Sequence, residues 1–214
     1  MFVPTHRYDY LRDGDAIYRE SFAIIRREAR LDHLPSEVAQ VAVRMVHAAA
    51  QTDLVDDLRF SPNVVSACRA ALQRGAPILC DATMVATGII RSRLPAQNAV
   101  ICHLADPQVA VLAAGLHTTK AAAAVELWAE RLEGSVVAIG NAPTALFHLL
   151  ELVSRVGVTP AAVIGIPVGF VGATESKDAL IDNPFGLEYL TVRGRRGGSA
   201  MAASAINAIA GGPE

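Results

Sequence analysis

The clearest chemical pattern in the sequence is a polar face on a segment of helical periodicity. Polar residues recur there at spacings of four, three and four, which is one face of a helix; they are Gln40, Arg44, His47 and Gln51. The imidazole of His47 therefore has Arg44 as a helical neighbour, and a like charge disfavours its protonation. A bound anion would reverse that effect, so His47 is a candidate proton donor that charges when substrate arrives. An ordinary exposed arginine and histidine remain the alternative on spacing alone.

A second pattern is a set of polar turns in the C-terminal half of the chain. Three apolar runs each end in a glycine-containing turn, at residues 135–144, 161–172 and 189–199. Free backbone N–H groups and cations at such turns can hold a carboxylate, which makes Asn141, Lys177 and Arg193 candidate substrate-binding residues. A single turn of this kind is commonly only a helix cap, whereas three at one sheet edge favour an anion site. Asp81, which ends an earlier apolar run, is expected to cap a helix N-terminus rather than to face that site.

The elements that must position these groups alternate regularly. Helical patterns cover about 13–31, 36–50, 62–74, a piece ending near Arg93, 107–115, 118–132, 143–156, 173–181 and 198–210. Strands are predicted at 76–80 and 99–102 and in the three apolar runs. Buried strands that feed helices through short loops form a parallel sheet covered on both faces. The sequence therefore predicts one α/β domain over residues 1–214, with three αβα layers, a doubly wound, flavodoxin-like sheet of five parallel strands and a helical N-terminal segment.

Composition and motifs exclude several classes of protein. The net charge of −2 argues against a nucleic-acid surface, and the longest apolar run, at 157–173, is broken by prolines and glycines, so it does not predict a membrane span. No P-loop, no dinucleotide fingerprint and no nucleophile elbow occurs. Five histidines have no partner pattern and are assigned no chemistry: His6, His33, His103, His117 and His148. Trp128 has the helical spacing of a core residue.

The cysteines and the N-terminus indicate a cytoplasmic protein. Cys68, Cys80 and Cys102 are odd in number and far apart, without the spacing of a zinc site. Free thiols of this kind are typical of a reducing compartment. Residues 1–7 lack the apolar stretch of a signal peptide. We therefore expect neither a structural metal nor secretion.

Several long segments resemble one known family. Residues 8–26, 44–47 (RMVH), 76–81, 134–146, 165–177 (GIPVGFVGATESK) and 193–201 (RGRRGGSAM) are similar to the precorrin-8X methylmutases. The resemblance extends in order over residues 8–210. It implies an isomerase of cobalamin biosynthesis that moves a methyl group from C-11 to C-12 of a corrin precursor, giving hydrogenobyrinate by a [1,5]-sigmatropic shift. It also implies that neither a metal nor a nucleotide is needed, and that a homodimer shares its active site.

The resemblance assigns roles to particular residues. The family's catalytic histidine matches His47, and its substrate contacts match Ser21 and Arg44. A further position, often arginine in the family, is Lys120, which keeps the charge but loses the bidentate fork. We expect His47 to protonate a ring nitrogen of the macrocycle and Arg44 to modulate the protonation of His47. We expect Ser21 to fix one edge of the ligand. Acid catalysis of this sort is worth roughly 10²–10⁴-fold.

Two other functions stay open at this point. A tetrapyrrole carrier without turnover would need the same pocket and charges, although it has no need of a titratable group at His47. The related methylmutase that acts on a cobalt-containing precursor is a second alternative, for which the resemblance is weaker. Without the resemblance, the pattern of elements would indicate only a flavodoxin-like anion-binding domain.

Overall fold

The N-terminal part of the chain forms a helical hairpin that leads into the sheet. The computed structural model describes residues 8–212, so the N-terminal segment 1–7 with His6 lies outside the described residues. Helix α1 covers Gly14–Glu28 and begins at Asp13, whose side chain accepts hydrogen bonds from two backbone N–H groups of the first turn. Helix α2 covers Ser36–Ala49 and ends at Ala50, which adopts a left-handed conformation. Both helices agree closely with the predicted segments.

The sheet has six strands, of which five are parallel. They are β1 (Leu58–Phe60), β2 (Ile78–Cys80), β3 (Val100–Ile101), β4 (Val136–Ile139), β5 (Ala162–Gly165) and β6 (Tyr189–Val192). Their order across the sheet is β1-β6-β5-β4-β2-β3. The five predicted strands are present, and their order is that of a doubly wound, flavodoxin-like sheet. The predicted strand count was nevertheless wrong, because β1 pairs antiparallel with β6 at one edge.

Helices cover both faces of this sheet. Besides α1 and α2 they are α3 (Val64–Gln73), α4 (Thr83–Gly88), α5 (Pro107–Gly115), α6 (Lys120–Glu126), α7 (Pro143–Val156), α8 (Ala173–Ile181) and α9 (Ser199–Gly211). Short 3₁₀ helices occupy Thr52–Asp57, Arg91–Arg93 and Ala129–Arg131. The predicted helix at 118–132 is therefore two pieces, α6 and a 3₁₀ turn. Among the described residues, no helix is long and apolar enough to cross a membrane.

Alternate residues of the central strand pack into two separate cores. Val136 and Ala138 of β4 face the core that also contains buried residues of α1, α2, α3 and α9. Val137 and Ile139 face the opposite core, formed with α7 and α8, where Trp128 is fully buried as predicted. The three-layer α/β architecture is therefore confirmed. Because α2 lies on the first face, the sheet separates its polar residues from the residues that pack on α7.

Candidate active site

The α1–α2 hairpin brings Ser21 and His47 together. Ser21 Oγ lies 2.9 Å from His47 Nδ1, although 26 positions separate them in the chain. Buried apolar residues on the facing sides of the two helices, Phe22 and Ile25 on α1 and Val46 on α2, hold the pair in register. Ser21 is half-buried and His47 exposed, so the imidazole is anchored at one nitrogen and open to a ligand. The geometry places these two predicted residues in one site.

Two aromatic rings of α1 pack against the imidazole. The ring centroids of Tyr18 and His47 are 5.3 Å apart, with the planes tilted by 32°. The Phe22 ring meets His47 edge-on, at 5.2 Å and 81°. Such contacts restrict the rotation of the imidazole and shield one side of it from water. Tyr18 was not among the predicted site residues, although it precedes Ser21 by three residues and so lies on the same face of α1.

Arg44 reaches the same cluster from the next turn of α2. Its Cζ lies 5.1 Å from the centroid of the Phe22 ring, so the guanidinium and His47 both contact this ring. Burial lowers the pKa of Arg44, and the nearby Arg93 lowers it further. The spacing prediction that Arg44 and His47 share one face of α2 thus agrees with the structure.

Two cavities open on adjacent faces of α1. One, of about 920 Å³, is lined by Asp15, Tyr18, Arg19, Phe22, Arg26, Gln40, Arg44 and Arg93. The other, of about 490 Å³, is lined by Leu11, Ile17, Glu20, Ser21, Ile24, Ile25, Glu28, Val46, His47, Ala50 and Thr52. The first is rich in cations and the second is mostly apolar. His47 lies at the second cavity, and its ring contacts reach the wall of the first.

Lys120 and Asn141 form a second group, away from α2. The Thr119 side chain accepts a hydrogen bond from the Ala122 N–H at the start of α6, and its Oγ1 lies 2.8 Å from Thr144 Oγ1 at the start of α7. This contact places Lys120, the first residue of α6, beside the turn that carries Asn141. Both side chains are exposed. Their role in substrate binding stays a prediction.

Asp81 fills the position where the strand order reverses, between β2 and β4. Its carboxylate accepts hydrogen bonds from the N–H groups of Gly140 at 2.9 Å, Asn141 at 2.9 Å and Ala142 at 2.7 Å. Burial raises the pKa of Asp81, while these backbone donors act in the opposite direction. The prediction that Asp81 caps a helix N-terminus was wrong, because the N-caps of α4 and α7 are Ala82 and Ala142; its carboxylate instead bonds the turn that precedes α7. The same bonds correct a detail of the sequence analysis, because the N–H groups of this turn are not open to a ligand.

Lys177 and Arg193 belong to a third group, built around the loop after β6. Lys177 is fully buried, and its Nζ donates a 2.7 Å hydrogen bond to the carbonyl oxygen of Arg196. Burial also lowers the pKa of Lys177 to about 8. This placement corrects the expectation that Lys177 contacts substrate directly, since no part of the side chain is accessible. Arg193 is exposed and pairs with Asp178 at 3.2 Å, and its substrate role stays a prediction.

The loop after β6 also connects to the end of α2. The Arg196 guanidinium bonds Asp53 at 2.8 Å and also bonds Asp57, both in the 3₁₀ helix that follows α2. A smaller cavity of about 250 Å³ is lined by Gln51 and by residues of the turns after β5 and β6, among them Gly169, Phe170 and Gly197. An added Cβ at Gly197 would lie 2.5 Å from the carbonyl oxygens of Ile166 and Pro167. Glycine therefore allows the two turns to pack closely beside α2.

One histidine gains a partner that its sequence context did not reveal. His148 on α7 bonds Glu126 on α6, which also bonds Arg155. These groups lie with α6 and α7, on the face of the sheet opposite α2. Arg93 was missed for a similar reason, because only the fold brings it beside Arg44. Within residues 8–212, no three His, Cys, Asp or Glu side chains are grouped so that they could hold a metal ion.

Comparison with known proteins gives a consistent result. The family described as precorrin-8X methylmutase matches residues 16–211. A precorrin-8X methylmutase of Sinorhizobium sp is 60% identical over 203 residues, covering 95% of this chain and 97% of the relative. One from Pseudomonas aeruginosa is 59% identical over 202 residues, covering 94% and 97%. The solved structure of a Thermus thermophilus precorrin-8X methylmutase has a TM-score of 0.83 at 40% identity, covering 92% and 95%.

Proposed function

The chain belongs to the precorrin-8X methylmutase family, and we propose that His47 is the acid of the reaction it catalyses. The protein is an isomerase: it moves a methyl group from C-11 to C-12 of precorrin-8X and so gives hydrogenobyrinate in cobalamin biosynthesis. In this migration the bond from the methyl carbon to C-11 breaks as its bond to C-12 forms. A proton lent to a ring nitrogen draws electron density from the π-system and lowers the barrier to that shift.

One observation carries the role of His47, namely the contact of its Nδ1 with Ser21 Oγ at 2.9 Å. Because Nδ1 is engaged by the serine, Nε2 is the nitrogen that can donate to a ligand. The rings of Tyr18 and Phe22 hold the imidazole plane while this transfer occurs. An acid with one nitrogen anchored and the ring orientation restricted meets the geometric requirement for general acid catalysis.

The charged groups near His47 suit a macrocycle edged with carboxylates. Arg44 supplies a cation against Phe22, and a carboxylate bound there would favour the protonated imidazole. Ser21 contributes to one edge of the ligand site as well as to the orientation of His47. We assign Lys120, Asn141 and Arg193 to outer contacts with the substrate.

We further propose that the enzyme is a cytoplasmic homodimer with a shared active site. Phe170 and Val171, in the turn after β5, are 85% and 89% exposed, and Phe170 lines the same small cavity as Gln51 at the end of α2. Large apolar side chains so exposed at the rim of a site are typical of an interface. The three cysteines are all free thiols, which suits a reducing compartment.

An absorbance time course with metal-free precorrin-8X tests the assignment. We expect the wild type to produce the hydrogenobyrinate spectrum, and His47→Gln to do so roughly 10²–10⁴-fold more slowly. Since His47 is exposed, the variant should bind hydrogenobyrinate and unfold at the same temperature as the wild type. Equal turnover of the two proteins would contradict the role of His47.

The same assay separates the two competing functions. A spectral change on binding without conversion, in the wild type, would indicate a carrier. Conversion of the cobalt-containing precursor in preference to the metal-free one would indicate the related cobalt-dependent route. Either result would contradict the proposed reaction whatever the behaviour of the His47 variant.

A further inference from the structure

The larger cavity beside the active site is strongly cationic. Among residues 8–212, four arginines line it, Arg19, Arg26, Arg44 and Arg93, together with one carboxylate, Asp15. The cations come from three separate elements, α1, α2 and the 3₁₀ helix Arg91–Arg93, and only the fold brings these elements together. Like charges collected by the fold raise the free energy of the unliganded protein unless an anion binds among them.

Arg93 is the most informative member of this group. It is half-buried, and none of the hydrogen bonds or ion pairs found within residues 8–212 gives it a carboxylate partner. Its charge nevertheless acts on Arg44, whose pKa it helps to lower. A half-buried guanidinium beside another cation raises the free energy of the folded protein. An anion that bound Arg93 would offset this cost, and the forked guanidinium matches a carboxylate in particular.

Arg26 lines the same cavity and lies near an aromatic ring that Arg44 also contacts. Its Cζ lies 5.8 Å from the centroid of Phe22, and that of Arg44 lies 5.1 Å from the same centroid. Phe22 also packs against His47 at 5.2 Å. The ring thus orients two cations and the proposed acid at once, which joins the cationic cavity to the catalytic group.

We propose that Arg93 and Arg26 form a carboxylate-binding subsite that holds peripheral acid arms of the macrocycle, and so determine specificity for the polycarboxylate over its amides. The inference rests on the proposed function, since it takes the substrate to be bound beside His47. In this arrangement the macrocycle faces His47 while its acid arms extend over Phe22 into the cavity. The two arginines add to the predicted contacts at Ser21 and Arg44.

Absorbance titration with hydrogenobyrinate measures the contribution of each arginine. We expect Arg93→Gln to raise Kd about tenfold and Arg26→Gln to raise it several-fold. The matched controls are Arg91→Gln, in the same 3₁₀ helix, and Arg27→Gln, next to Arg26; both residues are exposed and lie outside the cavity lining. Arg93→Lys should recover part of the loss, and higher ionic strength should reduce the difference between wild type and variant.

A second ligand distinguishes charge recognition from a general loss of structure. For hydrogenobyrinate with its carboxyl groups converted to amides, the wild type, Arg93→Gln and Arg26→Gln should bind equally. In turnover, the two variants should raise KM for precorrin-8X while leaving kcat within about twofold, as expected for binding energy common to ground and transition states.

The outcomes of these experiments are separable. If Arg93→Gln and Arg26→Gln bind hydrogenobyrinate as tightly as Arg91→Gln and Arg27→Gln, the subsite is wrong while the proposed function stands. The same conclusion follows if the loss is as large for the amide ligand. If the wild type neither binds hydrogenobyrinate nor converts precorrin-8X, the proposed function fails and the inference fails with it. Thermal unfolding of each variant shows whether a loss of binding is caused by misfolding. The Arg93→Lys protein is a second check on the same point.

Discussion

Ser21 Oγ lies 2.9 Å from His47 Nδ1, in a contact that joins two helices through side chains 26 positions apart. The serine selects which imidazole nitrogen is available for chemistry, since it engages Nδ1 and leaves Nε2 toward the ligand. Tyr18 and Phe22 both pack against the same ring, so the orientation of His47 depends on α1 as a whole. A catalytic role for His47 on α2 therefore implies a positioning role for Ser21 on α1.

Removing the serine hydroxyl should slow turnover without removing the acid. We expect Ser21→Ala to lower kcat about tenfold, because one hydrogen bond that orients the imidazole is lost. Steady-state assays of wild type, Ser21→Ala and Ser66→Ala measure this; Ser66 bonds the Asn63 carbonyl on α3 and serves as control. If Ser21→Ala matched the Ser66 variant in kcat, the positioning role would have to be abandoned.

The buried Lys177 should make stability depend on pH in the alkaline range. Its folded pKa of about 8 lies below the model-peptide value of 10.5, so between these limits the unfolded chain binds more protons. This group therefore raises the free energy of unfolding as pH rises from 8 to 10.5, and the contribution is lost as pH falls from 10.5 to 8. We expect a gain of about 1 to 3 kcal/mol.

Denaturant unfolding at roughly pH 7.5, 9 and 10 would measure that contribution, because these values cover the range in which Lys177 titrates. The wild type should gain stability relative to Lys177→Met across this range. Lys120→Met removes the other lysine of the chain, which is exposed, and should track the wild type. A constant difference between wild type and Lys177→Met at all three pH values would contradict the prediction.

Loss of the Asp81 carboxylate should destabilise the turn between β4 and α7. Asp81→Ala leaves three backbone N–H groups without their acceptor, and we expect a cost of about 3 kcal/mol in the free energy of unfolding. Asp81→Asn retains one acceptor oxygen and should cost less. Asp106→Ala, which removes a single capping bond at α5, should cost about 1 kcal/mol in the same urea titration. An Asp81→Ala protein as stable as the Asp106 variant would show that these bonds contribute little.

The exposed turn after β5 should control the oligomeric state. If Phe170 is buried between two copies, Phe170→Ser should shift the protein from dimer to monomer in sedimentation velocity, and reduce activity if the site is shared. Val111→Ser provides a control, since Val111 is 74% exposed on α5 and is not part of the proposed interface. A monomeric wild type would overturn the homodimer proposal, and a Phe170→Ser dimer of unchanged affinity would show that Phe170 lies outside the interface.

Local sequence patterns predicted most of the fold because each element carries its own periodicity and its own end signals. Helix α7 begins at Pro143 and ends at Val156, and both bounds were predicted from the sequence. Strand β1 was missed because Arg59 interrupts it, so it lacks the apolar run that marked the equally short β2 and β3, and it is defined only by its antiparallel pairing with β6. A strand of that length carries no alternation that could distinguish it from a loop.

The contacts of the candidate site also differ in whether the sequence alone could predict them. Helical spacing by itself determined that Arg44 and His47 share a face of α2, because both lie within one regular element. Only the tertiary structure decided that Ser21 meets His47, that Arg93 lies beside Arg44 and that Lys177 is buried against the Arg196 carbonyl. Each of these relations joins separate segments, whose approach is set by the packing of helices on the sheet. Periodicity describes the faces of one element, whereas packing decides which faces meet.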